Sequence, residues 1–333
     1  MFKINNNTKI FVACPAKFKS GGPELLHQLV CELTKLGFDA YMFYQYANFF
    51  DNSYPVHPEF KKYNNKWVTN IKKFDNEDNI LIVPETTPQI INKYKNIQKC
   101  IWWLSVDNYL NCVNHVGQSE IHSLISRLFF DVNEIDFKID KNKKIKHLCQ
   151  SEYAIDFVQK LGITNYDYLA DYISDDYFGK KPKIKKENIV LYNPKKGIEF
   201  TKMLIMKNRD IKFIPIENMT TKQVRELLYK AKVYIDFGNH PGMDRFPREA
   251  AICNCCVITG KRGSANFYED LPISDEFKFD DKIKNIDGIS KKIKYIFNNY
   301  EKENEKFKDY RKFITEQKSN FVNDIKKIFG EQK

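Results

Sequence analysis

The sequence has 333 residues, 42% of them hydrophobic and 14% aromatic, which suffices for two domains with buried cores and excludes a wholly disordered chain. No apolar run approaches the roughly 20 residues needed to span a bilayer, and no signal peptide is recognisable, so we expect a cytoplasmic protein. Lys and Arg (54) outnumber Asp and Glu (43), and the charge of +11 favours anionic partners. The sequence has no DNA-reading motif, so we expect no nucleic-acid partner.

Strands and helices alternate along the first half of the chain. Residues 9–14 are a predicted strand, and a loop containing Gly21 and Gly22 leads into a helix over 23–37, where apolar residues recur at helical spacing. Further strands are predicted at 38–44, 79–84, 99–106 and 145–150, and a helix with Ser151 as its N-cap follows them. This alternation is typical of an α/β domain.

A lysine-rich segment divides this half from a second one. Pro182 and five lysines lie between Asp176 and Glu187, where we place a linker between domains 1–178 and 187–333. Beyond it, strands predicted at 188–194, 211–216, 232–237 and 256–260 alternate with helices at 195–205, 219–231 and 246–253, and two amphipathic helices follow from about 286. The pattern predicts an α/β fold of two Rossmann-like domains with parallel sheets and C-terminal helices.

Charged residues collect in the loop after the strand predicted at 232–237. Ligands of open α/β sheets bind beyond the carboxyl ends of strands, so we expect the site at this loop and the following helix. Arg245 and Arg248 are placed to donate to a diphosphate at the helix start, where backbone N–H groups also favour anions. Glu249 is placed to accept a hydrogen bond from a hydroxyl such as that of a ribose. The alternative is a surface ion pair between Arg248 and Glu249, with His240 as an ordinary loop residue.

Three cysteines, Cys253, Cys255 and Cys256, are close enough in sequence to suggest a metal site. No second cysteine pair or histidine pair with zinc spacing lies near them in the sequence, and adjacent cysteines seldom ligate one ion. They lie at a predicted helix end and in a predicted core strand. We therefore interpret them as reduced, buried packing residues and expect neither a metal nor a cofactor.

Four segments resemble the GT-B glycosyltransferases, particularly the large retaining group that includes sucrose and glycogen synthases. Residues 20–43 resemble the Gly-Gly loop, helix and strand that open the N-terminal domain, and residues 150–178 resemble the segment that ends it. Residues 190–197 resemble the strand and basic loop that hold the donor diphosphate, and residues 249–259 resemble the helix and strand after the acidic loop. There Asn254 replaces the usual glycine, and Asn is the next-best residue for a left-handed position after a helix.

The resemblance implies two Rossmann-like domains facing a cleft, and a glycosyltransferase that moves a sugar from a nucleotide-diphosphate donor to a surface-glycan or lipid-linked acceptor. Lys195 and Lys196 would join the two arginines on the diphosphate, and Gly21 and Gly22 would let the backbone approach the donor. No metal is implied, since cationic side chains and a helix dipole can neutralise the leaving group. The positive charge would allow peripheral contact with an anionic membrane, such as the inner face of a cell membrane.

The sequence departs from the retaining group at two places. That group has two Glu residues with seven residues between them, and counting back from Glu249 reaches Pro241, so Asp244 is the nearest acid and either anomeric outcome stays open. Asp107 lies near the place where related enzymes carry a His, and it is either a general base for an acceptor hydroxyl or a cap of the next turn. The candidate catalytic residues are Asp107, Asp244 and His240, with His115 and His122 as weaker ones.

Two other functions fit the same residues. A GT-B protein can transfer another phosphate-activated group or epimerise a nucleotide sugar. The missing first Glu also fits a catalytically silent protein that binds a nucleotide or a glycan. Stabilisation by nucleotide diphosphates and nucleotide sugars is the measurement that identifies the ligand class.

Overall fold

The structure, a computed structural model, describes residues 2–45, 54–115, 144–180 and 182–331. The chain forms two compact units. The first unit is Met1–Asp171 together with Ser319–Lys333, and the second is Tyr172–Lys318. The expected domains, 1–178 and 187–333, were consecutive segments, whereas the last residues of the chain return to the first unit. No helix of the described part is long and apolar enough to cross a membrane.

Seven parallel strands form the sheet of the first unit: β1 Lys9–Pro15, β2 Asp39–Gln45, β3 Trp67–Val68, β4 Ile80–Pro84, β5 Gln98–Trp103, β6 Lys146–Cys149 and β7 Tyr166–Tyr168. Their order is β3-β2-β1-β4-β5-β6-β7, which is Rossmann-like because the order reverses between β1 and β4. The helices are α1 Gly21–Lys35, α2 Val106–His115 and α3 Glu152–Lys160. The strand predicted at 99–106 ends at Trp103, because α2 already begins at Val106.

Helix α1 begins earlier than predicted. Ser20 is its N-cap and Gly21 its first residue, so the two glycines lie in the first helical turn and not in a loop. The predicted cap of α3 is confirmed, because Ser151 Oγ accepts a hydrogen bond from the Ala154 N–H at 3.1 Å. The apolar stripe of α1 is buried, as its spacing predicted, through Leu25, Leu26, Leu29, Val30 and Leu33.

Four parallel strands form the sheet of the second unit: β8 Glu187–Tyr192, β9 Lys212–Pro215, β10 Ala231–Asp236 and β11 Cys256–Thr259. Their order is β11-β10-β8-β9, so β8 and β10 are neighbours. The helices are α4 Ile198–Lys207, α5 Thr221–Lys230, α6 Arg245–Ile252, α7 Ile286–Asn298, α8 Tyr300–Glu305 and α9 Lys308–Phe329. The two helices predicted after 286 are therefore three, and α9 begins in the second unit and ends in the first.

The end of the lysine-rich segment is part of the second unit's core. Lys186 Nζ donates to the carbonyl oxygens of Leu228, Ala231 and Cys253 at 2.7–2.9 Å, and so satisfies acceptors where α5 and α6 end. Cys255 Sγ lies 3.2 Å from the same Leu228 carbonyl. As predicted, the cysteines in this region are buried in the core: Cys253, Cys255 and Cys256.

Candidate active site

Two loops at the carboxyl edge of the second sheet form the candidate site. Loop 193–197 leads from β8 to α4, and loop 237–244 leads from β10 to α6. Because β8 and β10 are adjacent and parallel, both loops leave the same edge of the sheet. This is where open α/β sheets bind ligands, and where the sequence placed the site.

The two loops touch through glycine backbone. Gly197 is the N-cap of α4 with φ 58°, and a Cβ atom there would overlap the backbone of Phe237. A Cβ atom at Gly238, where φ is 98°, would lie 2.5 Å from the Gly197 nitrogen. Only glycine combines the left-handed backbone with the absence of a side chain, so these positions bring the loops into direct contact.

Lys196, from the first loop, contacts charged side chains at the end of β10 and in the second loop. Lys196 Nζ lies 3.0 Å from Asp236 Oδ1 and 2.5 Å from Asp244 Oδ2. His240 Nδ1 lies 2.7 Å from Asp244 Oδ2, and its Nε2 lies 3.2 Å from the Asp236 carbonyl oxygen. Each ring nitrogen of His240 thus lies within hydrogen-bond distance of an oxygen atom of one of the two aspartates. We call these four residues the Lys196 cluster.

The two carboxyl groups of the Lys196 cluster have pKa values that are shifted in opposite directions. Burial raises the pKa of Asp236, and the opposing charges of Lys196 and His240 only partly offset it. For Asp244, Lys196 and His240 outweigh burial, so its pKa lies well below the usual value. Burial alone lowers the pKa of Lys196, but the two carboxylates outweigh it, and the pKa is raised. Lys196 therefore carries its charge at neutral pH.

Three members of the cluster are of the types that ligate metals. Asp236, His240 and Asp244 each offer one ligand atom within 4.8 Å of the others. The Lys196 ammonium, however, contacts both carboxylates. A lysine thus supplies, at this place, the positive charge that a metal ion would bring.

The two arginines that were predicted to bind a diphosphate, Arg245 and Arg248, differ in burial. Arg245 is half-buried at the first position of α6. Arg248 is completely buried, and its Nη2 and Nε donate to the carbonyl oxygens of Met243 at 2.7 Å and Asp244 at 3.1 Å. Its Nη1 donates to Gln317 Oε1 at 3.0 Å. The phosphate contact of Arg248 stays a prediction. In the structure, its guanidinium binds the backbone at the end of loop 237–244.

Glu249 and Lys195 are the other predicted donor contacts in this unit. Glu249 is largely buried and accepts a hydrogen bond from the Tyr177 hydroxyl at 3.0 Å, so the alternative of a surface pair with Arg248 is wrong. Burial and the Glu249 carboxylate raise the pKa of Tyr177, which keeps that hydroxyl a donor. Lys195 is exposed, and its backbone N–H donates to Asn193 Oδ1 at 3.0 Å.

One residue of the site gave no sequence signal. Asp281 lies far along the chain from both loops, yet its Oδ2 accepts from the Gly238 N–H at 2.8 Å and lies 3.1 Å from Arg262 Nη2. Arg262 follows β11 and could have been found from its place at a strand's carboxyl end. Asp281 could not, because it follows no predicted strand.

The remaining predicted residues belong to the first unit. Gly21 and Gly22 begin α1 beyond the carboxyl end of β1, and Asp107 lies in the first turn of α2, beyond β5. Asp107 Oδ1 accepts from the Tyr153 hydroxyl at 2.8 Å, a bond that orients this carboxylate toward α3. Their roles stay predictions. His122 lies outside the described residues, as does the side chain of His115.

No family model and no curated protein sequence matches the chain. Solved structures do: sucrose-phosphate synthase from Thermosynechococcus elongatus is 12% identical, with a TM-score of 0.63 over 97% of this chain and 98% of that one. HepE of Anabaena in complex with UDP is 11% identical, with a TM-score of 0.58 over 98% and 100%. WaaG, a glycosyltransferase involved in lipopolysaccharide biosynthesis, is 14% identical, with a TM-score of 0.55 over 94% and 98%.

The chain has the GT-B fold. The fold predicted from the resemblance is therefore confirmed, including the Rossmann-like order of the first sheet. The chain spans 57% of the length of S. aureus TarM, a further matched structure, with a TM-score of 0.47.

Proposed function

We propose that the protein is a glycosyltransferase that moves a sugar from a nucleotide-diphosphate donor to a surface-glycan or lipid-linked acceptor. Among structures of the same fold, HepE was solved with UDP and with UDP-glucose, and WaaG acts in lipopolysaccharide biosynthesis. The observation that carries the proposal is the Lys196 cluster, a charged lysine held at the carboxyl edge of the second sheet. The Lys196 ammonium is the group of this cluster that a nucleoside diphosphate would contact.

The chemistry follows from the charge that forms on the leaving group. As the sugar departs, negative charge grows on the diphosphate, and a cation already in place stabilises the transition state more than the ground state. Lys196 is 18% exposed in its side chain, so its ammonium can exchange one carboxylate contact for a phosphate oxygen. The N–H groups that begin α4 and α6 flank it and favour the same anion.

The other predicted residues have assigned roles in this proposal. Arg245, at the first position of α6, supplies a second cation to the diphosphate, and Lys195 a third. Glu249 accepts a hydrogen bond from the ribose. Asp107, in the first unit, accepts the proton of the acceptor hydroxyl, and Gly21 and Gly22 are the donor contacts proposed for that unit.

Contact with an anionic membrane surface belongs to the same proposal. It rests on the charge of +11 and on the lipid-linked acceptor. Sedimentation with vesicles of anionic lipid, compared with neutral vesicles in the same salt, tests it. Equal binding to both would contradict it.

Calorimetry with UDP, on the protein and on Lys196→Met, tests the donor site. We expect Lys196→Met to weaken UDP binding roughly tenfold to a hundredfold, the effect of losing a hydrogen bond to a charged group. Lys202→Met is the matched control, because Lys202 is an exposed lysine on the adjoining helix α4 and should leave affinity unchanged. Unchanged affinity in a folded Lys196→Met variant would sink the assignment. UDP binding without release of UDP from any nucleotide sugar, with or without acceptor, would favour the silent alternative.

A further inference from the structure

Helices α6 and α9 are joined by a buried polar pair, Arg248 and Gln317. Arg248 is completely buried and Gln317 is 3% exposed. Arg248 Nη1 donates to Gln317 Oε1 at 3.0 Å, and Gln317 Nε2 lies 3.2 Å from Met243 Sδ. The glutamine thus contacts both the arginine and loop 237–244.

Arg248 holds the end of that loop by its backbone. Nη2 and Nε donate to the carbonyl oxygens of two consecutive residues, Met243 and Asp244. A guanidinium presents its donors in a rigid planar fork, so bonds to adjacent carbonyls fix the orientation of the peptide between them. Asp244 is the N-cap of α6, but its side chain makes no capping bond and turns to Lys196 and His240 instead.

Helix α9 presents one face to this arrangement. Tyr310, Ile314 and Gln317 are spaced by four and three residues, so they share a face, and all are buried. Burial raises the pKa of Tyr310, and the charged groups that act on it are Arg248, Asp244 and Asp236. Helix α9 therefore contacts α6 and loop 237–244 through Gln317, next to the residues of the Lys196 cluster.

We propose that Arg248 and Gln317 are positioning residues of the donor site. Gln317 anchors the guanidinium, the guanidinium fixes the Met243–Asp244 backbone, and the Asp244 carboxylate thereby meets Lys196 in the geometry that a diphosphate requires. The proposal rests on the proposed function for the part played by Lys196, and adds a role for the C-terminal helix. A pair kept only for stability could be replaced by apolar side chains of similar volume at little cost.

The double variant Arg248→Met/Gln317→Leu leaves no guanidinium or amide buried alone, so it should fold, with a melting temperature lowered by the loss of the two bonds to the Met243 and Asp244 carbonyl oxygens. We expect amide hydrogen exchange in residues 238–244 to accelerate about tenfold or more, because the loop loses its anchor. UDP affinity measured by calorimetry should fall about fivefold to tenfold, a loss of order one hydrogen bond.

Two further variants separate positioning from stability. Gln317→Glu keeps an acceptor for Arg248 Nη1 and should hold loop exchange and UDP affinity close to wild type. Ser290→Ala removes a buried hydrogen bond with Asn208 elsewhere in the same unit, and should lower the melting temperature without changing exchange in residues 238–244. If the double variant does not fold, Gln317→Leu alone takes its place beside Gln317→Glu.

The outcomes distinguish this inference from the proposed function. Unchanged loop exchange in the folded double variant, or in Gln317→Leu where that replaces it, overturns the positioning role. Faster exchange confined to the loop with weaker UDP binding supports it. Faster exchange in a protein whose wild type binds neither UDP nor any other nucleoside diphosphate supports the anchoring and overturns the proposed function instead.

Discussion

Two carboxyl groups of this protein have pKa values that are shifted in opposite directions. At Asp244, the charges of Lys196 and His240 outweigh burial and hold the pKa well below its usual value. Glu85 follows β4, is 2% exposed, and accepts the Leu104 N–H at 2.9 Å. Burial raises the pKa of Glu85 to about 8, because backbone N–H groups oppose it too weakly. Asp244 is therefore a charged part of its site, and Glu85 is a neutral acid at neutral pH.

Glu85 should make the stability of the protein depend on pH. Its folded-state pKa of about 8 exceeds the ordinary value of 4.5. As the pH rises from 4.5 to 8, the free energy of unfolding therefore falls by up to roughly 1.4 kcal/mol for each pH unit. Glu85→Gln has no such proton to lose. We expect its melting temperature to exceed that of the wild type by several degrees at pH 8 and by much less at pH 5. Exposed Glu77→Gln should show no such trend, and an equal difference at both pH values would contradict the assignment.

At the scale of elements, contact between loops 193–197 and 237–244 depends on Gly197. Gly197→Ala adds a Cβ that overlaps backbone, whereas Gly162→Ala, at φ 79°, meets nothing within 4 Å. In both variants, the left-handed backbone at an alanine lowers the free energy of unfolding by about 1–2 kcal/mol. We expect urea unfolding to show a larger loss for Gly197→Ala, and calorimetry to show weaker UDP binding for that variant alone. Equal losses with unchanged UDP affinity would mean that the loop contact is unimportant.

Local sequence signals predicted most of these elements correctly. Thr220 and Gln223 form the capping box that begins α5, and Asn254 adopts the left-handed conformation after α6 with φ 62°. The signal failed at Gly21, since glycine is a poor helix former and its place in a first turn is set by packing. It also missed β3 and β7, which have two and three residues and are too short to show a period.

At the scale of the whole molecule, contacts between distant residues could not be predicted. The sequence pointed to the two loops that carry the Lys196 cluster, because the ends of strands can be recognised from local sequence. It did not show that Asp281 would bind Gly238 or that Gln317 would hold Arg248, since each pair is separated by 43 or 69 residues. Nor did periodicity show that α9, which reads as one amphipathic helix, belongs to two units.

The return of the chain to the first unit can be tested with tryptophan fluorescence. The protein's three tryptophans, Trp67, Trp102 and Trp103, all lie in that unit, and Trp102 stacks on Phe321 of α9 with ring centroids 6.4 Å apart.

Phe321→Ala should remove about 3–5 kcal/mol of packing from the first unit, as expected for a buried phenylalanine. We therefore expect the fluorescence-detected unfolding midpoint in urea to fall, while UDP affinity in the absence of denaturant stays within about twofold of wild type, because a cavity costs stability mainly where it forms. Phe307→Ala is the counterpart: Phe307 is buried against Phe277 in the second unit, and its loss should weaken that unit instead. A fluorescence midpoint that responds to Phe307→Ala and not to Phe321→Ala would mean that residues from Ser319 onward do not stabilise the first unit.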